Sequence, residues 1–126
     1  MKSVLELEFF INVSPSILFP RLSTPGGLVE WFADDIRVKE DIFTFIWNGT
    51  EYTARMLQQK KNDYIRFKWI EDLDDQSYFE FKIAEDDLTG DVVLIVTDFA
   101  EEADKYDVSI LWEKQINNLK NALGVT

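Results

Sequence analysis

Trp31, Phe32, Trp47, Met56, Phe67, Trp69, Phe81 and Trp112 are the side chains of this sequence best suited to hold another molecule. Large rings do not fill a tapered space without gaps, and a methionine adapts to what enters it. The set is therefore expected to surround a cavity for an apolar or amphipathic small molecule. A plainer reading competes: the same residues pack against one another at the density usual for protein interiors and leave no room. No catalytic constellation accompanies them. The chain has no Cys and no His, which removes thiolate nucleophiles, imidazole bases, disulfides and the common structural zinc sites. Paired carboxylates for acid–base work need a buried cleft that splits their pKa values, and nearly every acid here falls in a turn or on a polar strand face.

The other polar groups read as surface. Arg55 and Arg66 fall on neighbouring strands, and would meet a ligand carboxylate only if their facing were shifted by one residue. As exposed charges balancing Glu51 or Glu80 across a sheet they need no ligand. The runs Glu71–Asp75 and Asp86–Asp91 are rich in carboxylate oxygen. They lack the alternating spacing and distant bidentate Glu of an EF-hand, so they read as solvated hairpin tips. Tyr52, Tyr64, Tyr78 and Tyr106 read as packing residues with hydroxyls at the rim. Neither a metal nor a cofactor is expected.

Composition narrows the partners. With 24 acidic and 13 basic residues the net charge is −11, which repels phosphate backbones and anionic lipid surfaces and argues against nucleic acid and membrane partners. Hydrophobic content of 46%, with ten Phe and four Trp among 126 residues, supplies enough apolar mass for one domain over residues 1–126 with a substantial core. Met1-Lys2-Ser3 runs directly into an alternating pattern without an apolar stretch suited to export or membrane insertion, so a cytoplasmic address is expected.

The elements that must position these residues follow from periodicity. Val4 to Val13 alternates as a half-buried strand, with Leu5, Leu7, Phe9 and Ile11 on one face. Ser14-Pro15-Ser16 starts a helix, with the Ser14 hydroxyl as its cap. Thr24-Pro25-Gly26-Gly27 breaks it, and a second short helix carries Leu28, Trp31 and Phe32 to about Ala33-Asp34-Asp35. Strands are then predicted over 36–39, 42–47, 50–59, 64–70, 78–84 and 92–100, with Asn48-Gly49 as a hairpin turn. Asp104 to Leu123 reads as a long helix capped by Asp104 and closed by Gly124, its apolar stripe being Val108, Leu111, Trp112, Ile116, Leu119 and Leu123. The order is that of an α+β fold: a seven-stranded antiparallel sheet with one greasy concave face, two short helices after strand 1, and a long C-terminal helix to cover it.

Phe10-Ile11-Asn12-Val13-Ser14-Pro15, Leu18-Phe19, Leu22-Ser23-Thr24-Pro25, Leu28, the pair Trp31-Phe32 and the ladder Trp112, Ile116, Leu119, Leu123 together resemble the START-like (SRPBCC) helix-grip domains. Within them the chain is similar to the branch named for the activator of the heat-shock chaperone ATPase. Lys39-Glu40-Asp41 stands where that branch often has a Gly-rich hairpin, and Leu111 where a Gly commonly precedes the terminal Trp. The resemblance implies a helix-grip fold, frequently with an internal cavity for an apolar small molecule.

Three functions are consistent with these observations. The first is binding of an apolar or amphipathic small molecule between sheet and terminal helix without chemical change. The second is a protein-interaction module, for which the chaperone activator is a precedent by fold analogy. The third is an enzyme of the cyclase or hydratase kind, which needs a buried acid facing the cavity. Exposed edge strands also allow a homodimer.

Overall fold

In the computed structural model, which describes residues 1–125, the alternating segments become strands β1 (Ser3–Phe10), β2 (Asp35–Lys39), β3 (Ile42–Trp47), β4 (Thr50–Lys60), β5 (Tyr64–Trp69), β6 (Phe79–Glu85) and β7 (Val92–Ala100). They form one antiparallel sheet in the order β1-β7-β6-β5-β4-β3-β2, so β1 and β2 are its edges. The helices are α1 (Pro15–Ser23), α2 (Pro25–Leu28) and α3 (Lys105–Leu123). This is the helix-grip arrangement, with α3 laid across the apolar face.

Period-two alternation sets that face. Phe43 pairs with Ala54, and Phe45 with Tyr52; Ile65 pairs with Phe81, and Phe67 with Phe79. Phe45, Ala54, Ile65, Phe67 and Phe81 have no accessible surface. The helix presents Trp112, Ile116 and Leu119 to them, all buried. Covering large apolar side chains in this way contributes about 1.5–3 kcal/mol each. Asn48 and Gly49 both have positive φ, 51° and 79°, the geometry of the two-residue turn that matches strand twist.

Several local expectations are corrected. β1 stops at Phe10 instead of Val13: Ile11 N–H still donates to Val92 O, but Val13 N–H turns back to Ile11 O. The Ser14 hydroxyl does not cap α1 and lies against Ser16 instead. Asp104 makes no side-chain cap to α3, because a 3₁₀ turn over Glu102–Asp104 leads into the helix. The cap that does form is at α2, where Thr24 Oγ1 accepts from Gly27 N–H at 3.0 Å and donates to Pro20 O.

The second helix is only one turn long. Beyond Leu28 the chain runs through irregular turns, with Trp31 and Phe32 N–H groups both donating to Leu28 O. Leu111, expected in the buried stripe, is 61% exposed. Successive helical residues are rotated by about 100°, so a stripe centred on Trp112, Ile116 and Leu119 leaves Leu111 to one side.

Candidate functional site

Between the turns after α2 and one flank of α3 lies an open groove of about 900 Å³. Its first wall is the segment from Val29 to Asp34 with Trp47 of β3; its second is Leu111, Lys114, Gln115, Asn118, Asn121 and Ala122 of α3. Leu111, Gln115, Asn118 and Ala122 recur at helical spacing, so one face of α3 grips the sheet and an adjacent face looks into the groove.

Backbone carbonyls fix the groove's aromatic wall. Trp31 Nε1–H donates to Arg21 O at 2.7 Å, tying the turn segment to α1. Trp47 Nε1–H donates to Phe32 O at 2.7 Å, and Gln115 Nε2 reaches the same oxygen at 3.3 Å. One carbonyl thus joins β3, the turn segment and α3. α1 and α2 can pack closely only because residue 27 is glycine: a Cβ there would stand 2.0 Å from Pro20 O.

The aromatic residues singled out from the sequence divide among several places. Trp31, Phe32 and Trp47 line the groove. Phe32 is also the hub of a ring cluster, stacked on Trp112 at 5.9 Å and edge-on to Phe45, Trp47 and Phe81 at 5.1, 5.2 and 5.9 Å. Phe67 and Phe81 have no accessible surface, so they face packed atoms. Trp69 stacks on Phe79 and borders a small polar pocket and a shallow outer depression. Met56 is half-buried opposite Phe67, beside the bulge between Met56 and Gln58. Trp112 faces the core, and its indole N–H leaves the ring cluster toward Asp98.

Asp98 was not distinguished by sequence reasoning. It sits on β7, and both its oxygens accept: Oδ1 from the Phe99 N–H at 2.8 Å and Oδ2 from Trp112 Nε1–H at 2.9 Å. Burial pushes its carboxyl above the usual carboxylate range, against the pull of those two donors and of Lys2, while the charge of Asp72 adds to the rise. It borders a pocket of about 170 Å³ shared with Lys2, Trp69, Asp72, Ser77, Tyr78 and Phe99. The only hint in the sequence was an acid in phase with Leu94 and Val96 on the inward face of a strand.

The acidic run at 71–75 is more structured than a solvated tip. Asp72 accepts from the Ser77 hydroxyl, the Asp74 N–H and Lys2 Nζ. The Ser77 hydroxyl is the main reason its carboxyl falls to about 2, with desolvation opposing. Lys68 Nζ closes the same loop on Asp74 O and Ser77 O at 2.6 and 2.9 Å. In the 86–91 turn the Leu88 and Thr89 N–H groups hold the Asp86 carboxyl below its ordinary value. Arg66 pairs with Glu80 at 2.7 Å; Arg55 takes Asp41 at 3.0 Å, since Glu51 is held by Arg37.

The chain matches the family model of the START-like superfamily domain over residues 1–125. It belongs to the START-like superfamily. A Bacteroides fragilis protein solved in solution by NMR is similar at 36% identity, with 97% of this chain and 91% of that one covered and a TM-score of 0.68. The Aha1 dimer from Colwellia psychrerythraea is similar in fold at 18% identity, covering 96% of each chain, with a TM-score of 0.80. A Mesorhizobium loti protein is similar in fold at 15% identity, covering 97% of each chain, with a TM-score of 0.78. Comparison with curated proteins finds no match. Among the described residues no helix is long and apolar enough to cross a membrane.

Proposed function

We propose that this START-like domain binds an amphipathic small molecule in the groove between the 29–34 turns and α3, without transforming it. The observation that carries this reading is the groove itself. Its volume of about 900 Å³ lies within the roughly 300–1,000 Å³ of small-molecule sites, and its lining combines the apolar Val29, Trp31, Phe32, Trp47 and Leu111 with polar side chains of α3. Desolvation of an apolar chain against the accessible members of that lining, Val29, Leu111 and half-buried Trp47, supplies affinity. Lys114, which joins none of the ion pairs among the described residues, supplies a cation for a carboxylate head.

Titration with decanoate and with uncharged decanol, followed by intrinsic tryptophan fluorescence and calorimetry, tests the proposal. Saturable binding of both is expected. Leu111→Glu should weaken both by about tenfold or more, equivalent to about 1.4 kcal/mol, and Lys114→Glu should weaken decanoate alone. No saturation by either compound, or affinity unmoved by Leu111→Glu, overturns it. The second reading, a protein-interaction module, is favoured by the exposure of Val29 and Leu111, 38% and 61%, at the mouth of a groove that opens to the surface. The proposal includes self-association, for which the dimeric Aha1 neighbour is the precedent.

A further inference from the structure

We propose that two copies of this chain pair through the β2 edge, antiparallel and about a two-fold axis at Arg37, joining their sheets into one. This rests on the self-association named above and assigns it a surface. The β2 edge consists of the five residues Asp35-Ile36-Arg37-Val38-Lys39. Their register with β3 puts Ile36 and Val38 opposite the core residues Phe45 and Phe43, and leaves Asp35, Arg37 and Lys39 on the outer face. Turned end for end about Arg37, the segment complements itself. Asp35 then meets Lys39 of the second copy at each end, and Ile36 meets Val38 on the apolar side. Opposite charges in directly facing positions are favourable, whereas like charges are not. The facing pair of Arg37 residues is already compensated, because each guanidinium is held by its own Glu51 on β4.

The edge is also open. β2 pairs with β3 without a register shift and contains no proline, so of the devices that blunt edge strands it keeps only its shortness and its charges, and those charges are the ones the pairing matches. The N–H of Ile36 donates to the Asp35 carboxylate at 2.8 Å, not to a strand. In an antiparallel pair alternate residues aim their backbone groups outward, and Ile36 and Val38 share that phase. Val38 is 38% exposed although it lies on the core side of the sheet. Pairing covers it and frees Asp35 to turn from Ile36 N–H to the facing Lys39.

About its central residue, the other edge brings like charges together. Glu6 and Glu8 lie outward on β1, and an antiparallel pairing about Leu7 sets each against the other's counterpart. Of these two centred pairings, the one on β2 sets opposite charges together. A segment this short covers less than the roughly 1,200 Å² of standard stable interfaces, so association is concentration-dependent. The net charge of −11 per chain is screened beyond about 8 Å at physiological ionic strength.

Sedimentation velocity at about 0.15 M salt, from about 10 μM to about 1 mM chain, tests the pairing with a charge exchange. The wild-type weight-average mass should climb toward that of two chains. Asp35→Lys and Lys39→Asp should each stay monomeric over the same range, since each sets like charges opposite one another. An equimolar mixture of the two variants should recover the wild-type mass curve, because each strand then faces its opposite. Circular dichroism of the single variants should match the wild type, as both positions are exposed. A wild-type chain that remains monomeric throughout defeats self-association altogether. A wild-type dimer that both variants retain, or variants that stay monomeric when mixed, defeats the β2 pairing while leaving self-association standing.

Discussion

Trp112→Phe is the substitution that best separates packing from electrostatics in this fold. The phenyl ring can keep the stack on Phe32 and the edge contact with Phe81, 5.9 and 5.7 Å between centroids, but it loses the indole N–H that Asp98 Oδ2 accepts at 2.9 Å. A hydrogen bond to a charged group contributes about 1.5–3 kcal/mol, against about 0.5–1.5 for a neutral one. The smaller ring adds on the order of 1 kcal/mol of lost contact. The expected destabilisation near pH 7 is therefore roughly 2.5–4 kcal/mol.

That cost depends on pH with a definite sign. Burial raises the folded-state pKa of Asp98 above its unfolded value, so its carboxylate detracts from stability near neutral pH. Stability from this group is gained as pH falls through the folded pKa and is complete below the unfolded one. Protonation also turns the indole bond into the weaker neutral kind. The Trp112→Phe penalty should then shrink by about 1–2 kcal/mol as pH is lowered from neutral through the raised folded-state pKa of Asp98. The groups facing Asp98 are Lys2, which favours its charge, and Asp72, which opposes it. Urea midpoints of both proteins across that range measure the penalty. A carbon-13 NMR titration of the Asp98 carboxyl should place it above ordinary aspartates in the wild type and higher still in Trp112→Phe. A penalty that is the same at every pH, together with an unmoved Asp98 titration, would refute the reasoning and leave the indole as packing alone.

Trp112→Ala removes the ring as well and should cost about 3–5 kcal/mol; an unchanged denaturation midpoint would contradict the placement of α3. Gly27→Ala should destabilise by about 1–3 kcal/mol through the clash with Pro20 O, whereas Gly26→Ala, with open space around it, should not; thermal melts of the pair decide. Ser77→Ala should let the Asp72 pKa climb from about 2 toward its ordinary 3.8. The stability that Asp72 provides above its unfolded pKa, lost in the wild type as pH falls from about 3.8 toward about 2, should shrink in the variant, because the contribution vanishes as the folded and unfolded pKa values converge. Carboxyl NMR of Asp72 in both proteins reads this directly.

Local periodicity determined a great deal. Strands have a side-chain period of two, so Phe43, Phe45, Phe67, Phe79 and Phe81 declared their common face before any pairing was known. The expected bounds of β3 and β7 match the structure, because each is bracketed by turn residues such as Asn48-Gly49. Trp112, Ile116 and Leu119 were recognisable as the gripping stripe for the same kind of reason. Family membership was legible too, through packing signatures spread along the chain.

What only the tertiary structure decided is what lies beside that stripe. Whether Trp31 and Phe32 continue a helix or sit in turns depends on Thr24 and Gly27 locking a single turn against Pro20, and a propensity argument does not see that contact. Leu111 is apolar and near the stripe, yet its exposure depends on how far α3 is rolled over the sheet. The pairing of Trp112 with Asp98 joins residues whose sequence patterns say only that both point inward. The groove exists because α3 and the turn segment meet at one shared carbonyl, Phe32 O, and diverge from it. Periodicity assigns a face to a residue; the separation between two faces is set by the contacts that hold them.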